Sequence, residues 1–292
     1  MRRFGFIFNS RAGRGGKTAL VRSAMAAVRA RGDEAREYEC PSSPAGPVAH
    51  ATRDGCTVIV ACGGDGTVSG VAAALRDSHL PLGVFPLGTL NHFARDLGIH
   101  SLAEAERVLC HGRVREIDGG MVNGRIFINN SGIGIYPEIV QEREKVRQAG
   151  IPKWPAFLFA CIWALIKLPF LRLHIEADGV HLARITPFLF VGNNVYETCG
   201  RSIGTRARLD AGILGVCTAR HHGPTGLIRI AIRALVGTVR EDRDFTLLAA
   251  RKITVRTRRH AELDVSLDGE LCRLKPPLHY SVLPRAVRVL AP

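Results

Sequence analysis

Hydrophobic positions in the first 110 residues alternate between short continuous runs and runs with helical spacing. A short continuous apolar run bounded by turns is typical of a buried strand, and apolar residues on one helical face are typical of an amphipathic helix. The predicted strands cover 4–8, 34–40, 56–62 and 82–88, and the predicted helices cover 17–32, 44–55, 68–77, 91–98 and 101–112. The predicted buried face of the first helix consists of Leu20, Val21, Ala24, Met25 and Val28. Strands that alternate with helices predict a parallel, doubly wound, Rossmann-like α/β domain.

The pattern changes near residue 118, where strands separated by turn dipeptides replace the alternation. Asn123-Gly124 and Asp178-Gly179 each lie between two apolar runs, which is typical of a hairpin. Further strands are predicted at 213–221, 245–257 and 261–271, and helices near 137–149, 154–168 and 224–236. The chain is therefore expected to hold an α/β domain over 1–118 and a mainly antiparallel β domain over 119–282.

The longest apolar stretch, 155–171, has two interpretations. Eleven apolar residues run from Ala156 to Ile166 before Lys167 interrupts them, and about 20 are needed to span a bilayer. A buried helix and a helix that lies on a membrane surface both fit this length. The first residues, MRRFGFIFNS, lack the apolar core and small-residue cleavage site of a signal peptide, so a cytoplasmic location is expected.

The charge of the chain favours partners that carry phosphate. Its 292 residues include 40 Lys or Arg against 26 Asp or Glu, and the net charge is +14. A positive surface attracts nucleotides, nucleic acids or anionic membranes. Nucleic acid is not expected as a partner, because aromatic residues make up only 6% and are not interleaved with basic ones as in base-stacking platforms. The eight cysteines form no CxxC pair, so reduced thiols are expected.

Basic residues concentrate in 221–260, which holds nine Lys or Arg and three Asp or Glu, most densely in RKITVRTRRH at 251–260. A solvated strand face is one interpretation of this run. Adhesion to anionic lipid is the other, since each basic residue near such a surface contributes on the order of 1 kcal/mol.

The segment GGDGT, at 63–67, places one carboxylate among three glycines between a predicted strand and a predicted helix. A turn at the carboxyl end of a parallel strand exposes main-chain N–H groups and a helix N-terminus, and both favour phosphate. The glycines are expected to allow close main-chain approach and positive φ. Phosphate would repel Asp65 unless it holds a metal or bonds a ribose or base, and Mg²⁺ is the natural bridge. Alternatively, Asp65 and Thr67 only cap the helix.

Two more glycine-containing loops follow predicted strands, FNSRAGRGGK at 8–17 and PLGTLNHFARDLGI at 86–99. Three such loops at the ends of alternating strands converge on one edge of a doubly wound sheet, where such sheets bind ligands. The sequence therefore predicts one phosphate-binding edge built from all three loops.

Four segments, taken together, resemble the diacylglycerol kinase catalytic-domain family. They are GGDGT at 63–67, LGTLNHFARDLGI at 87–99, NNSGIGIYPEI at 129–139 and LDGEL at 267–271. The family includes bacterial lipid kinases, sphingosine kinases and ceramide kinases, and it is distantly similar to NAD kinases. The first segment is shared with NAD kinases, whereas the later three resemble the lipid-kinase branch. The resemblance runs from residue 4 to about 290.

The resemblance implies an N-terminal α/β domain, a C-terminal β-sandwich and an active site in the cleft between them. It also implies that the chain end, 283–292, rejoins the first domain. Members of the family transfer the γ-phosphoryl group of ATP to a lipid hydroxyl. The expected ligands are thus ATP, Mg²⁺ and a lipid such as diacylglycerol at an anionic membrane surface, with peripheral membrane association. A homodimer is left open.

Site residues carry over to the positions that match the family motifs. The residues expected to contact the nucleotide or its metal are Asn9, Gly13, Gly63, Gly64, Asp65, Gly66, Thr67, Thr89 and Asn91. Asp268 is expected to be the catalytic base on the acceptor hydroxyl, and Glu270 to orient the site or, with Asp65, to hold metal. Phosphoryl transfer to a hydroxyl needs such a base within hydrogen-bond reach. Without the resemblance, LDGEL favours an ordinary hairpin turn, because Asp-Gly is a common turn dipeptide.

Several positions depart from the family pattern. Ser10 stands where the first loop often has proline, and Leu90 and His92 stand where the third loop often has glycine and an acid. Tyr136 replaces a further acid. These departures bear on substrate and rate rather than on the fold. They leave two alternatives to a lipid kinase, namely a soluble kinase of NAD type and a non-catalytic lipid or nucleotide sensor. The acids retained at the predicted site speak against the sensor.

Overall fold

The computed structural model describes residues 1–9, 16–134, 170–197, 205–220, 245–258 and 260–292. The chain divides into two compact units. Unit 1 comprises Met1–Gly119 and Leu283–Pro292, and unit 2 comprises Gly120–Val282. The helices predicted near 137–149, 154–168 and 224–236 lie outside the described residues, as do Gly13 and Tyr136. Among the helices that are described, none has the length and apolar character needed to cross a membrane.

Unit 1 is built on a parallel sheet. Its first four strands are β1 (Arg3–Phe8), β2 (Glu34–Glu39), β3 (Val58–Gly63) and β4 (Leu82–Pro86), in the order β2-β1-β3-β4. The continuous apolar runs of β1 and β3 are buried along nearly their whole length, as expected for strands covered on both faces. Phe8 lies beside Cys62, and Cys62 beside Phe85, so the three strands end level with one another.

Five helices accompany this sheet. They are α1 (Gly16–Arg29), α2 (Ala45–Arg53), α3 (Asp65–Ala74), α4 (His92–Asp96) and α5 (Leu102–His111). α1 packs against α5, and α2 packs against α3. The buried face of α1 is as predicted except for Leu20, which is 41% exposed. A capping box begins α5, because Ser101 Oγ accepts from the Glu104 N–H and the Glu104 carboxylate accepts from the Ser101 N–H.

The last strand completes unit 1. In β16 (Leu278–Ala291), Val289 pairs in parallel with Leu82 of β4, and Val289 and Leu290 are almost fully buried. The first residues of the same strand, Leu278–Ser281, pair with a strand of unit 2. The core of unit 1 therefore includes residues from the end of the chain.

Unit 2 consists of antiparallel strands in two layers. Its strands are β5 (Arg113–Val122, which begins in unit 1), β6 (Arg125–Phe127), β7 (Asn130–Gly134), β8 (Leu171–Ala177), β9 (Val180–Thr186), β10 (Phe188–Asn193), β11 (Leu214–Ala219), β12 (Phe245–Ala250), β13 (Lys252–Arg256), β14 (Leu263–Leu267) and β15 (Glu270–Leu274). One layer has the order β16-β13-β8-β9, with β5 beside β16 and β6, and the other has the order β12-β11-β10-β7-β14-β15.

Alternating side chains fill the space between the two layers. In β8, buried residues alternate with more exposed ones, and Leu173 and Ile175 point into the core. The second layer contributes Ile133 of β7, Val191 of β10 and Val265 of β14 to the same cluster. The predicted fold class, a doubly wound α/β domain with an antiparallel β-sandwich, is confirmed.

Two segments predicted as continuous strands are interrupted. The run 245–257 breaks at Arg251, and its halves, β12 and β13, belong to different layers. The run 261–271 breaks at Asp268-Gly269, where β14 turns into β15. At the first break the Arg251 N–H donates to Asp178 at 2.7 Å instead of to a strand partner. Apolar residues resume after Arg251 because each layer buries its own half of the run, whereas β14 and β15 are neighbours in one layer.

Candidate active site

Three predicted loops leave the carboxyl edge of the unit 1 sheet side by side. Asn9 follows β1, Asp65 follows β3, and Asn91 follows β4. The second and third turns are joined directly, since the Leu87 N–H donates to the Gly63 carbonyl at 2.9 Å. The structure therefore brings the second and third glycine turns together at one edge, whereas residues 10–15 of the first loop lie outside the described residues.

The second and third turns approach each other closely at Gly64 and Gly88, where main chain meets main chain. A Cβ on Gly88 would lie 2.5 Å from the Gly64 Cα and 2.6 Å from Asn91 Oδ1. A Cβ on Gly63 would collide with the Thr67 side chain. Glycine is required at these positions because no side chain fits.

The expectation of positive φ in GGDGT is wrong. The described residues with φ in the left-handed region do not include Gly63, Gly64 or Gly66. In the two joined turns the left-handed residue is Asn91, at φ 50°. Asparagine tolerates this conformation, and its side chain bonds the Gly88 N–H and carbonyl, each at 3.0 Å. The glycines thus supply space, and the asparagine supplies the change of direction.

Asp65 is the first residue of α3 rather than the tip of a turn. The N-cap of α3 is Gly64, and no side-chain hydrogen bond caps this helix, so the expectation that Asp65 or Thr67 caps it is wrong. Asp65 Oδ1 instead accepts the N–H of Phe93, at the start of α4, at 3.1 Å. The side chain is half-buried, and Oδ2 has no partner within the described part of the chain. One oxygen therefore holds the third turn, and the other is available to a ligand.

The remaining nucleotide candidates are partly exposed. Asn9 is half-buried, and its Nδ2 donates to the Pro41 carbonyl at 3.2 Å. Thr89, Leu90 and His92 are exposed on the third turn. The first N–H groups of α3 have no hydrogen-bond partners within the helix. Together with the helix dipole, they favour an anion at the start of α3.

The predicted base, Asp268, lies in unit 2 at the hairpin turn between β14 and β15. Its φ is 49°, and Gly269 follows at φ 88°. Asp268 Oδ1 accepts the N–H groups of Asn129 and Asn130 at 2.7 and 2.9 Å, and Oδ2 accepts that of Ile128 at 2.8 Å. The carboxylate is thereby held in one orientation. Glu270 follows, exposed, at the start of β15.

Two other hairpins of unit 2 use the same device. Asp178, at φ 44°, accepts the N–H groups of Arg251 and Lys252 at 2.7 and 2.9 Å. These two bonds hold the pKa of Asp178 below its usual range. Asn123, also at φ 44°, accepts the His279 N–H at 2.8 Å. The hairpin interpretation of LDGEL therefore describes the local structure of Asp268, and it leaves a chemical role to be decided by experiment.

A buried polar cluster behind Asp268 was not predicted. Arg206 is only 5% exposed, and its Nη1 donates to the carbonyls of Ile128 and Asn193 at 2.7 and 3.1 Å. Its Nη2 donates to Asn129 Oδ1 at 2.9 Å. The asparagine pair at 129 and 130 is visible in the sequence, but nothing there indicates that an arginine 77 positions later completes the cluster.

Asn130 adds an unsatisfied acceptor beside the same turn. Its main-chain N–H and carbonyl both bond Asp268. Its Oδ1 is buried and has no hydrogen-bond partner among the described residues. Buried polar atoms are rarely left unpaired, so such an atom is a candidate ligand contact.

Two family models cover most of the chain. Residues 3–122 match the diacylglycerol kinase catalytic domain, and residues 140–291 match the YegS C-terminal NAD kinase beta sandwich-like domain. The chain belongs to the diacylglycerol kinase and YegS family of lipid kinases. The resemblance stated from its motifs is confirmed.

Individual lipid-kinase relatives agree with the family models. A diacylglycerol kinase from Bacillus subtilis is 29% identical over 244 residues, which make up 80% of this chain and 78% of that protein. A Pseudomonas fluorescens protein named as a probable YegS-like lipid kinase is 29% identical over 251 residues, 84% of this chain and 81% of that protein. The crystal structure of a diacylglycerol kinase from Bacillus anthracis gives a TM-score of 0.71 at 18% identity, covering 100% of this chain and 97% of that one. At that identity the structure supports the fold alone.

Gly88→Ala tests the contact between the joined turns. The added Cβ has to push Gly64 away, and a displacement of about 1 Å in a binding site can cost on the order of 10²-fold in activity. We expect Mg²⁺–ATP affinity, measured by calorimetry, to fall at least about tenfold. Gly46→Ala is the matched control, because a Cβ there meets nothing within 4 Å and alanine suits a helix. Equal affinity of the two variants would show that the turns need not touch.

Proposed function

We propose that the protein is an ATP- and Mg²⁺-dependent kinase that transfers the γ-phosphoryl group to a hydroxyl of diacylglycerol or a related lipid. In this proposal unit 1 holds the nucleotide, and unit 2 supplies Asp268 as the base on the acceptor hydroxyl. The observation that carries it is the pair of joined glycine turns with the Asp65 carboxylate between them. Membership of the lipid-kinase family supports the class of acceptor.

Main-chain groups account for the nucleotide half of the proposal. The N-terminus of α3 offers unpaired N–H groups, and the contact of Gly64 with Gly88 lets a phosphate approach main chain on two sides. Asn91 keeps the third turn in place through its two bonds to Gly88. These groups would bind and orient a polyphosphate. Catalysis of phosphoryl transfer depends mainly on such positioning and on neutralisation of charge.

The metal half rests on Asp65. Mg²⁺ commonly binds through one or two carboxylates while phosphate and water supply its other ligands. Asp65 fits this pattern, because Phe93 anchors one oxygen and the other has no described partner. No group of three or more His, Cys, Asp or Glu side chains suited to a metal lies in the described parts of the chain, so most ligands would come from the nucleotide and water. When bound, Mg²⁺ would neutralise charge on the phosphates.

The acceptor half rests on Asp268 and its surroundings. The three main-chain N–H groups orient the carboxylate, and Asn130 Oδ1 offers a nearby acceptor. A carboxylate held in this way can receive the proton of an incoming hydroxyl. We place Glu270, at the start of β15, beside it as the residue that orients the site or contributes to metal binding. Attachment to an anionic membrane surface would supply the lipid.

The proposal is tested by transfer of label from γ-labelled ATP to a panel of acceptors. Diacylglycerols, other lipids with a free hydroxyl, a total lipid extract and NAD would be compared with and without Mg²⁺. We expect label in at least one lipid, dependent on Mg²⁺, and none in NAD. Transfer to NAD alone would establish the soluble kinase instead. Tight nucleotide binding with no transfer to any acceptor would favour the sensor.

Asp65→Asn separates metal binding from support of the third turn. The amide oxygen can still accept the Phe93 N–H, whereas the charge that a hard cation prefers is lost. We expect a melting temperature near that of wild type and Mg²⁺–ATP affinity at least about tenfold weaker, since a hydrogen bond or contact to a charged group contributes about 1.5–3 kcal/mol. Asp77→Asn, at a carboxylate that is 93% exposed, is the charge-matched control. Unchanged Mg²⁺–ATP binding would remove Asp65 from the metal site.

Asp268→Asn needs a control for hairpin structure, and Asp178→Asn provides it. Both aspartates begin an Asp-Gly turn with φ above 40° and accept main-chain N–H groups on both oxygens. An amide at either site leaves one N–H facing another donor, so both variants should melt somewhat earlier. We expect turnover with the labelled lipid to fall at least about 10²-fold only in Asp268→Asn, the typical share of a general base. Equal turnover of the two variants would make Asp268 a hairpin residue alone.

A further inference from the structure

A concave basic site lies at the end of β13 in unit 2, and none of its described lining residues is among those assigned above. Its volume is about 470 Å³, and it is lined by His174, Arg256, Thr257, Arg258, Pro276 and Pro277. Small-molecule sites commonly measure about 300–1,000 Å³. We propose that this site binds a phosphate group, either free or as the headgroup of a phospholipid.

The strand register brings the basic side chains together. Arg256 of β13 lies directly opposite His174 of β8, so both project from the same face of the layer. Arg258 follows Arg256 by two residues, and Thr257 separates them in the sequence. Among the described residues, no acid lines the cavity.

Arg258 is the cation most available to a ligand. Arg256 donates from Nη1 to Glu176 at 3.2 Å, which offsets part of its charge. Arg258 has no hydrogen-bond or ion-pair partner among the residues that the structure describes, and its side chain is exposed. A guanidinium group has five N–H donors, so Arg256 also keeps donors to spare.

Thr257 supplies an observation that is independent of the two arginines. Its Oγ1 is buried and has no hydrogen-bond partner within the described residues, although the residue lines the cavity. A buried hydroxyl of this kind calls for a partner that the protein does not supply. Rotation of the Thr257 side chain toward the cavity would let its hydroxyl donate to an oxygen of a bound ligand.

The chemistry of the lining selects phosphate over other ligands. Each of the two guanidinium groups carries five N–H donors, so together they have enough donors for the three terminal oxygens of a phosphate group, where a carboxylate has two oxygens. The described residues of the lining include no Phe, Tyr or Trp on which a nucleotide base could stack. The site is therefore matched to the phosphate itself.

Arg258→Gln and Arg251→Gln together distinguish a site from diffuse charge. Both arginines belong to the basic run 251–260, but Arg251 lies at the opposite end of β13, about 16 Å from Arg256 at about 3.3 Å per residue. That separation exceeds the screening length of about 8–10 Å at physiological ionic strength. The two substitutions thus remove the same charge, one inside the site and one outside it.

The first arm titrates the full-length protein with inorganic phosphate and follows the backbone amide signals of Thr257 and Arg258 by NMR. These signals report on this site even though the turns of unit 1 can also bind phosphate. We expect these amide signals to shift saturably with phosphate concentration. Phosphate affinity should fall about tenfold in Arg258→Gln and several-fold in Thr257→Val, because a hydrogen bond from a charged group contributes more than one from a neutral hydroxyl. Arg251→Gln should bind like wild type. No saturable shift, or an equal loss in both arginine variants, would overturn the proposal.

The second arm identifies the source of the phosphate. Phosphatidylcholine vesicles with and without phosphatidic acid are sedimented with wild type and the two arginine variants. A larger loss of phosphatidic acid-dependent binding in Arg258→Gln than in Arg251→Gln supports a lipid headgroup as the ligand. If the two variants bind vesicles equally, but only Arg258→Gln loses affinity for inorganic phosphate, the ligand is a soluble phosphate compound. Neither readout requires phosphoryl transfer, so the result is independent of the proposed kinase activity.

Discussion

Parallel pairing of β1, β3 and β4 is the constraint on which the nucleotide half of the molecule depends. Because Phe8, Cys62 and Phe85 lie level, the three strands end together, and the turns after β3 and β4 meet at one edge. These two turns share space that admits main chain only, at Gly64 and Gly88. The exposed N–H groups of α3 and the carboxylate of Asp65 follow from that arrangement, since both belong to the residues that come directly after β3.

In unit 2, hydrogen bonds between polar groups hold the main chain around Asp268 in place. The peptide between Ile128 and Asn129 is held on both sides, because its carbonyl accepts from Arg206 and its N–H donates to Asp268. Hydrogen bonds arranged in series polarise one another where the dielectric is low. A buried guanidinium and the hairpin carboxylate are therefore coupled through one peptide, and removing either would leave main-chain groups without their partners. The cost of such a loss exceeds the net gain of an ordinary hydrogen bond.

The sequence was sufficient for the elements and for the edge of the sheet, but not for contacts between distant residues. Continuous apolar runs predicted β1 and β3, and the glycine turns that follow β3 and β4 were correctly expected to meet at one edge of the sheet. The alternative in which Asp65 caps the helix is wrong, and the sequence could not exclude it because the partner of Asp65, Phe93, lies 28 residues away. The break at Arg251 was missed because apolar residues lie on both sides of it. Those before it belong to one layer and those after it to the other. Arg206 has no local pattern at all, since its burial depends on carbonyls from β10 and from the segment before β7.

The basic run 251–260 shows that a net charge does not by itself define a surface. The main-chain N–H groups of Arg251 and Lys252 serve the Asp178 carboxylate, and Arg256 is partly offset by Glu176. Positions more than a screening length apart along the strand act separately on a ligand. The charge of +14 accelerates the encounter with any anionic partner, whereas discrimination among such partners requires donors at fixed spacing. The end of β13 brings such donors into one cavity, because the register with β8 sets Arg256 opposite His174 and Arg258 follows two residues later.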